Sequence, residues 1–219
     1  AGLESLRNAL ARTLCLDHTD PVTSWAAHLA DLQQRAADLT ARSFDALRYR
    51  GPGTDLVVGL AATHRWIGGA AGRRGSCPNL PTEEVFTAPD RRRAEGSLAL
   101  TKPAILDGEF VDGVQLEFSD GGVVSATAAN GETALHRFLD TDQGARRAGE
   151  VALVPPSSRV ASENLIWHHP LLDENDASHI ALGAGIAMCL PDDLAGDESR
   201  RDAAGLNASS VHHDFVVGS

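Results

Sequence analysis

The sequence predicts an α+β protein: a mixed β-sheet with flanking helices, preceded by an N-terminal helical segment. Two observations carry this. Apolar residues recur at helical spacing through the first 50 residues, and after Gly51-Pro52-Gly53 the texture changes to short apolar runs and alternating stretches. The apolar fraction of 42% over 219 residues is enough for a packed core, and no repeat or low-complexity linker divides the chain.

Taken in order, Asp20 before Pro21 is a helix-start signal, a cap followed by a proline at the first helical position. Trp25, Leu29, Leu32, Ala36, Leu39 and Leu47 then form one apolar face, so a helix is expected to continue until the Gly-Pro-Gly turn. "TDLVVGLA" (54–61) is the first strand expected. The basic runs "GRRG" (72–75) and "PDRRRAEG" (89–96) sit among turn residues and read as solvated loops. The stretch from Leu106 to Ala128 alternates around Asp120-Gly121 and reads as a hairpin. Residues 130–149 read as helical and lead into an apolar strand at 150–155. An apolar, glycine-containing run (178–190) and a last strand (209–218) follow. The expected division is a helical lead-in (1–50) and a larger second domain (51–219).

The net charge of −11 argues against nucleic acid, because phosphate binding requires clustered Lys and Arg. No apolar run approaches the roughly 20 residues of a membrane span. The opening "AGLESLRNALARTL" is charged throughout and does not read as a signal peptide. Cys15, Cys77 and Cys189 lie too far apart to suggest a disulfide framework, which points to a reducing cytoplasm.

Six acids and histidines stand out. Glu83 and Glu84 occupy a segment with three prolines, "PNLPTEEVFTAPD", which excludes a long helix and suits either a surface loop or a held ligand. Glu150 opens an otherwise apolar strand, where a carboxylate needs a partner or a cation. His179 precedes the apolar "IALG". In "VHHDF", His212 and Asp214 share one face of an extended strand and His213 takes the other. Imidazole and carboxylate side by side suit zinc, cobalt or manganese. Taken singly, each residue also fits a solvated or hydrogen-bonded role.

"PNLPTEEVFTAPDRRRAEG", "TDQGARRAGEVALVP", "LLDENDASHIALG" and "GLNASSVHHDFVVGS" resemble successive blocks of the aminopeptidase T / aminopeptidase S family, the thermophilic-type metallo-aminopeptidases. The resemblance covers nearly the whole chain. It implies a two-metal peptidase that removes N-terminal residues from peptides, with Glu84, Glu150, His179, His212 and Asp214 holding two divalent ions and Glu150 handling the proton. It also implies a homodimer. The family's N-terminal domain and its C-terminal end are expected to lie outside this chain.

Three departures shape the expectation. The family tyrosine seven residues after the histidine of "HIALG" is Ile186 here. The only tyrosine, Tyr49, is expected at the end of the N-terminal helix. An aromatic-Asn-Thr run is replaced by His168, His169 and Pro170, which nominates His169 as a catalytic acid or base. The chain is also shorter than family members. The reading is a metal-dependent aminopeptidase-like hydrolase with an altered pocket. Its alternatives are a homologue recruited to another metal-dependent reaction on a small amino-acid-derived metabolite, or a non-catalytic metal-binding homologue.

Overall fold

The computed structural model describes residues 2–69 and 79–218. "GRRG" and Cys77 lie outside the described residues. Helices α1 (Gly2–Thr13) and α2 (Pro21–Arg42) come first. The Asp20 carboxylate accepts the Thr23 N–H at 3.1 Å, so the expected cap is in place. The far end differs from expectation. Ser43 turns left-handed (φ 47) and its N–H bonds the Leu39 and Thr40 carbonyls, which stops the helix at Arg42.

Strand β1 (Ala46–Gly51) follows, and Leu47 and Tyr49 belong to it rather than to the helix. The physical reason is the alternation Leu47-Arg48-Tyr49-Arg50, which has the period of a strand. Arg48 forks onto Asp55 of β2 (Thr54–Leu60) with two 2.8 Å bonds, fixing the hairpin through Gly51-Pro52-Gly53. Next come β3 (Ile67–Gly68), β4 (Val85–Thr87) and β5 (Pro89–Ala99). The expected loop "PDRRRAEG" is therefore strand. Its arginines face outward and pair across the surface, Arg92 with Asp90 and Arg93 with Asp45.

Strands β6 (Ala104–Leu106) and β7 (Glu109–Val111) form a small hairpin, and β8 (Gln115–Ser119) and β9 (Gly122–Thr127) form another. Both turns are Asp-Gly with positive φ at both residues (50 and 80 at Asp107-Gly108; 50 and 77 at Asp120-Gly121), the backbone that matches strand twist. Helix α3 (Glu132–Leu139) buries Leu135, Phe138 and Leu139, and a 3-10 turn (Gln143–Arg146) delivers the chain to β10 (Ala148–Leu153). Short helices α4 (Arg159–Ser162) and α5 (Pro170–Glu174) precede β11 (Ser178–Gly183). Helices α6 (Asp192–Ala195) and α7 (Glu198–Ala203) precede β12 (His212–Gly218).

Two five-stranded sheets result, in the orders β1-β2-β5-β8-β9 and β12-β11-β10-β4-β3. The α+β class holds, but the recorded strand pairs among the described residues are all antiparallel, where the sequence suggested a mixed sheet. One core joins both sheets, with Leu56, Leu98 and Leu116 from the first, Val151, Ile180 and Phe215 from the second, and Leu32 and Ala36 of α2. Among the described residues, no helix is long and apolar enough to cross a membrane.

Candidate metal centre

Antiparallel pairing puts directly opposed residues on the same face, and the strand period of two then assigns every other residue. Glu150 opposes Ala181, and Ala181 opposes Asp214. Ala152 opposes both His179 and Phe86. Two steps along from Phe86 and from Asp214 lie Glu84 and His212. One face of the second sheet therefore gathers Glu84, Glu150, His179, His212 and Asp214. The residues between these side chains are small, Ala152 and Ala181 being fully buried, and the five acids and histidines line a hollow of about 200 Å³. Gly183 (φ 107) lets the start of β12 lie close, since a Cβ there would meet the Val211 carbonyl at 2.1 Å.

The opposite face carries Val85, Val151, Ile180, Leu182 and Phe215 into the core. His213 is on that side, with its ring 5.1 Å from Phe215 and 6.0 Å from Phe138, and burial lowers its pKa. The sheet thus separates carbon from charge.

Glu84, Glu150 and His179 are respectively 5, 4 and 1% exposed. Burying ionisable groups this deeply costs several kcal/mol each unless they are compensated. One ligand atom from each of Glu84, Glu150 and His179 lies within 4.8 Å of the other two, and so do atoms of Glu150, His212 and Asp214. The two sets share Glu150.

The imidazoles are oriented for a cation. Nδ1 of His179 lies 3.2 Å from the Ala177 carbonyl and Nδ1 of His212 lies 2.7 Å from the Ala184 carbonyl. A carbonyl only accepts, so Nδ1 carries the proton in each ring and the Nε2 lone pair faces the acids. His179 Nε2 is 3.1 Å from Glu84 Oε2, and His212 Nε2 is 3.3 Å from Glu150 Oε2. Lone pair against carboxylate is repulsive until a proton or a metal ion sits between them. Glu84 Oε2 and Asp214 Oδ1 are buried without a hydrogen-bond partner, as open ligand positions would be. The residues present fit a divalent metal.

The titration behaviour expresses the same demand for positive charge. Burial pushes Glu150 up to about 7; His212 opposes this and the Glu84 and Asp214 charges add to it. Burial pulls the His212 imidazole down, but Glu150 and Asp214 outweigh it and raise it to about 9. His179 behaves alike, with burial overcome by Glu84 and Asp214 so that it ends well above the usual value.

Glu174 was not singled out in the sequence. It lines the same hollow from the end of α5, and burial, reinforced by Asp214 and Glu84, raises it to about 9. Its neighbours hold it there. The Asp173 carboxylate accepts the Trp167 and His169 N–H groups, both at 2.9 Å. The Asn175 amide oxygen accepts the Glu83 N–H at 2.7 Å, tying the two acid-bearing segments together. Asp176 pairs with Lys102. Each polar residue of "LLDEND" thus has a separate task, and the sequence alone does not show which acid turns inward.

Glu83 and Glu84 are buried rather than on a surface loop. Glu84 turns to the hollow, and Glu83 pairs with Arg159 at 3.1 Å and His28 at 3.5 Å. His169 is exposed at the start of α5 and does not line the hollow. Ile186 does line it. Tyr49 does not; its hydroxyl is buried without a partner, and burial, then Glu150, raise its pKa. A wider groove of about 790 Å³ along α7 contains Glu198, Arg201 and Asp202. Asp202 is already paired with Arg91 at 2.8 Å. Size does not mark the site in this molecule; buried charge does.

The sequence profile of the thermophilic metalloproteases (M29) matches residues 1–219. The chain belongs to this family. It is 46% identical to aminopeptidase T of Thermus thermophilus over 98% of its own length, and 40% identical to aminopeptidase PepS of Streptococcus thermophilus over 99%. The solved structure of wild-type AmpT from Thermus thermophilus superposes with a TM-score of 0.87 at 45% identity, covering 97% of this chain and 51% of that one. The chain spans about half the length of the curated relatives it matches, 53% of each of the two named.

Proposed function

We propose that this M29 chain is the catalytic part of a metal-dependent aminopeptidase that binds two divalent ions, zinc, cobalt or manganese. The carrying observation is the pair of three-residue ligand sets that share Glu150. Glu84, Glu150 and His179 would hold one ion, and Glu150, His212 and Asp214 the other. Glu84, Glu150 and Asp214 bring three carboxylates to the hollow, and Glu174 adds a fourth acid beside them. When bound, such a pair lowers the pKa of water to about 7 and polarises a carbonyl.

The chain's own groups supply the rest. Glu150 is common to both sets and is the group assigned to accept a proton from attacking water. Glu174 holds a proton next to Asp214 and can return one to a leaving amine. The carbon lining from Phe86 and Ile186 limits water on one side. His169 stands outside the hollow, so the proton steps are assigned to the two glutamates. The peptide substrate, the homodimer and the cytoplasmic setting belong to the same proposal. Buried, unpaired Cys15 and Cys189 support a reducing compartment.

Protein stripped with chelator and reloaded with zinc, cobalt or manganese should take up near two ions per chain and release amino acids from aminoacyl p-nitroanilides. Glu150→Gln should lose both properties. Turnover unchanged by that substitution overturns the assignment.

Ile186 favours a second reading. It lines the hollow where the family resemblance implies a tyrosine, and its hydrocarbon cannot donate to a developing oxyanion. A family homologue recruited to another metal-dependent reaction on a small amino-acid-derived metabolite, or one that binds metal without turnover, would keep the ligands and lose this donor. Ile186→Tyr should raise peptidase turnover under the first reading and leave peptides inert under the second.

A further inference from the structure

Glu174 and Asp214 form a wall with two sides. Beyond the hollow they also line a narrow slot whose other surfaces are mostly carbon. Ile105 and Phe110 oppose each other across the β6–β7 hairpin and so share one face, Ile166, Pro170 and Val216 add further carbon, and Asp173, His168 and His213 also reach the lining. Phe110 and Ile166 remain 48 and 50% exposed at its edge, large apolar side chains left in water beside the charged centre.

We propose that this slot is the subsite for the side chain of the substrate's first residue, and that it takes a small aliphatic side chain. The proposal rests on the peptidase reading above. Continuity is its first support, because two residues of the wall face both spaces and a group at the hollow is one wall away from the slot. Polarity is the second. Both carboxylate oxygens of Asp173 are used by backbone N–H groups, His213 is packed between Phe138 and Phe215, and the His168 ring lies 6.1 Å from Phe110. Glu174 and Asp214 belong to the metal centre. An acidic side chain in the slot would meet Asp173, Glu174 and Asp214 and find no lysine or arginine among the lining residues.

Size is the third support. The slot encloses about 30 Å³. Since one water needs about 10–15 Å³ on this measure, the space holds about two waters, or the few carbons of alanine to valine. The wall is also held in a costly conformation. His168 is left-handed (φ 54), fixed there because Asp173 grips the N–H on either side of it. Its ring lies 6.1 Å from Phe110 at the exposed edge of the slot.

The test is a first-residue series of aminoacyl p-nitroanilides (Ala, Val, Phe, Lys, Glu) on the metal-loaded protein, with Phe110→Ala and Ile166→Ala beside it. Alanine and valine substrates should exceed the phenylalanine, lysine and glutamate ones in kcat/KM by at least about tenfold. Phe110→Ala should move the Phe-to-Ala ratio about tenfold toward phenylalanine at unchanged metal content. An unchanged ranking in both variants overturns the subsite while leaving the peptidase reading intact. So does a preference that follows the second residue in a matched dipeptide series. Should the loaded wild-type protein hydrolyse none of these, the peptidase reading fails. The slot is then read by equilibrium binding of free L-valine against L-lysine, and equal affinity or no binding overturns it.

Discussion

The two five-stranded sheets share antiparallel pairing and differ in what their second faces carry. In β8 of the first sheet, Leu116 and Phe118 are buried while Gln115, Glu117 and Ser119 are exposed, so one face is core and the other is water. The second sheet has no such division. Val151, Ile180 and Phe215 meet the core, and the reverse face buries Glu84, Glu150 and His179. The first sheet is built for stability alone. The second accepts a desolvation cost on one face, and that cost is sensible only if a cation offsets it.

The comparison breaks most sharply at Glu150. Glu150→Gln should lower turnover at least about a thousandfold, ~4 kcal/mol in the barrier. The chelator-stripped variant should nevertheless unfold no earlier than the stripped parent, because a buried charge has been removed; a large loss of melting temperature would show that Glu150 supports the fold. Leu116→Ala in the first sheet should do the reverse. It should cost about 2–5 kcal/mol in a denaturant melt through the cavity it leaves, with metal stoichiometry intact.

Asn175→Ala probes the link between the acid segments. Metal affinity should fall about 10- to 100-fold, because the Glu83 backbone and the Glu174 turn lose their common anchor. Unchanged affinity in a chelator competition would make Asn175 a structural residue only.

The smallest effect is on pH. Glu150, Glu174 and His212 have folded values raised to about 7, 9 and 9. Between about pH 5 and 9 these three groups bind more protons in the folded, metal-stripped chain than in the unfolded one, so the stability they contribute should fall as pH rises. Asp142 acts oppositely. The Ser210 N–H and hydroxyl, the Ser209 hydroxyl and the Ala145 N–H hold its carboxyl below the usual range. Its contribution is present above about pH 4 and lost below that. Melts of stripped protein and of Asp142→Asn across this range check both signs.

Local turn chemistry and strand periodicity were legible in the sequence. The Asp120-Gly121 hairpin and the shared face of His212 and Asp214 needed only neighbouring residues. Strand β1 was misread because Leu47 also fits the helical spacing, and the alternation through Arg50 is too short to decide until pairing with β2, the Arg48–Asp55 fork included, settles it. Strand β5 was hidden by arginines whose partners, Asp45 among them, are distant in sequence. Glu174 was missed because nothing in a five-residue helix marks which acid turns inward; its contact with Asp214 spans the fold. His169 was drawn toward the chemistry by its residue type, whereas Asp173 uses its backbone and leaves the ring outside.

Asn207 carries a further consequence. Its amide donates to the Gly144 and Gly183 carbonyls at 2.8 and 2.6 Å, just before β12 begins. "VHHDF" holds an imidazole on both faces of that strand, so it contains its own decoy. Slipped by one residue, β12 would offer His213 to the hollow and drive Asp214 into the core. The Asn207 amide and the Asp142 carboxylate, which grips Ser209 and Ser210, lie outside the site and together hold the entry to the strand in frame.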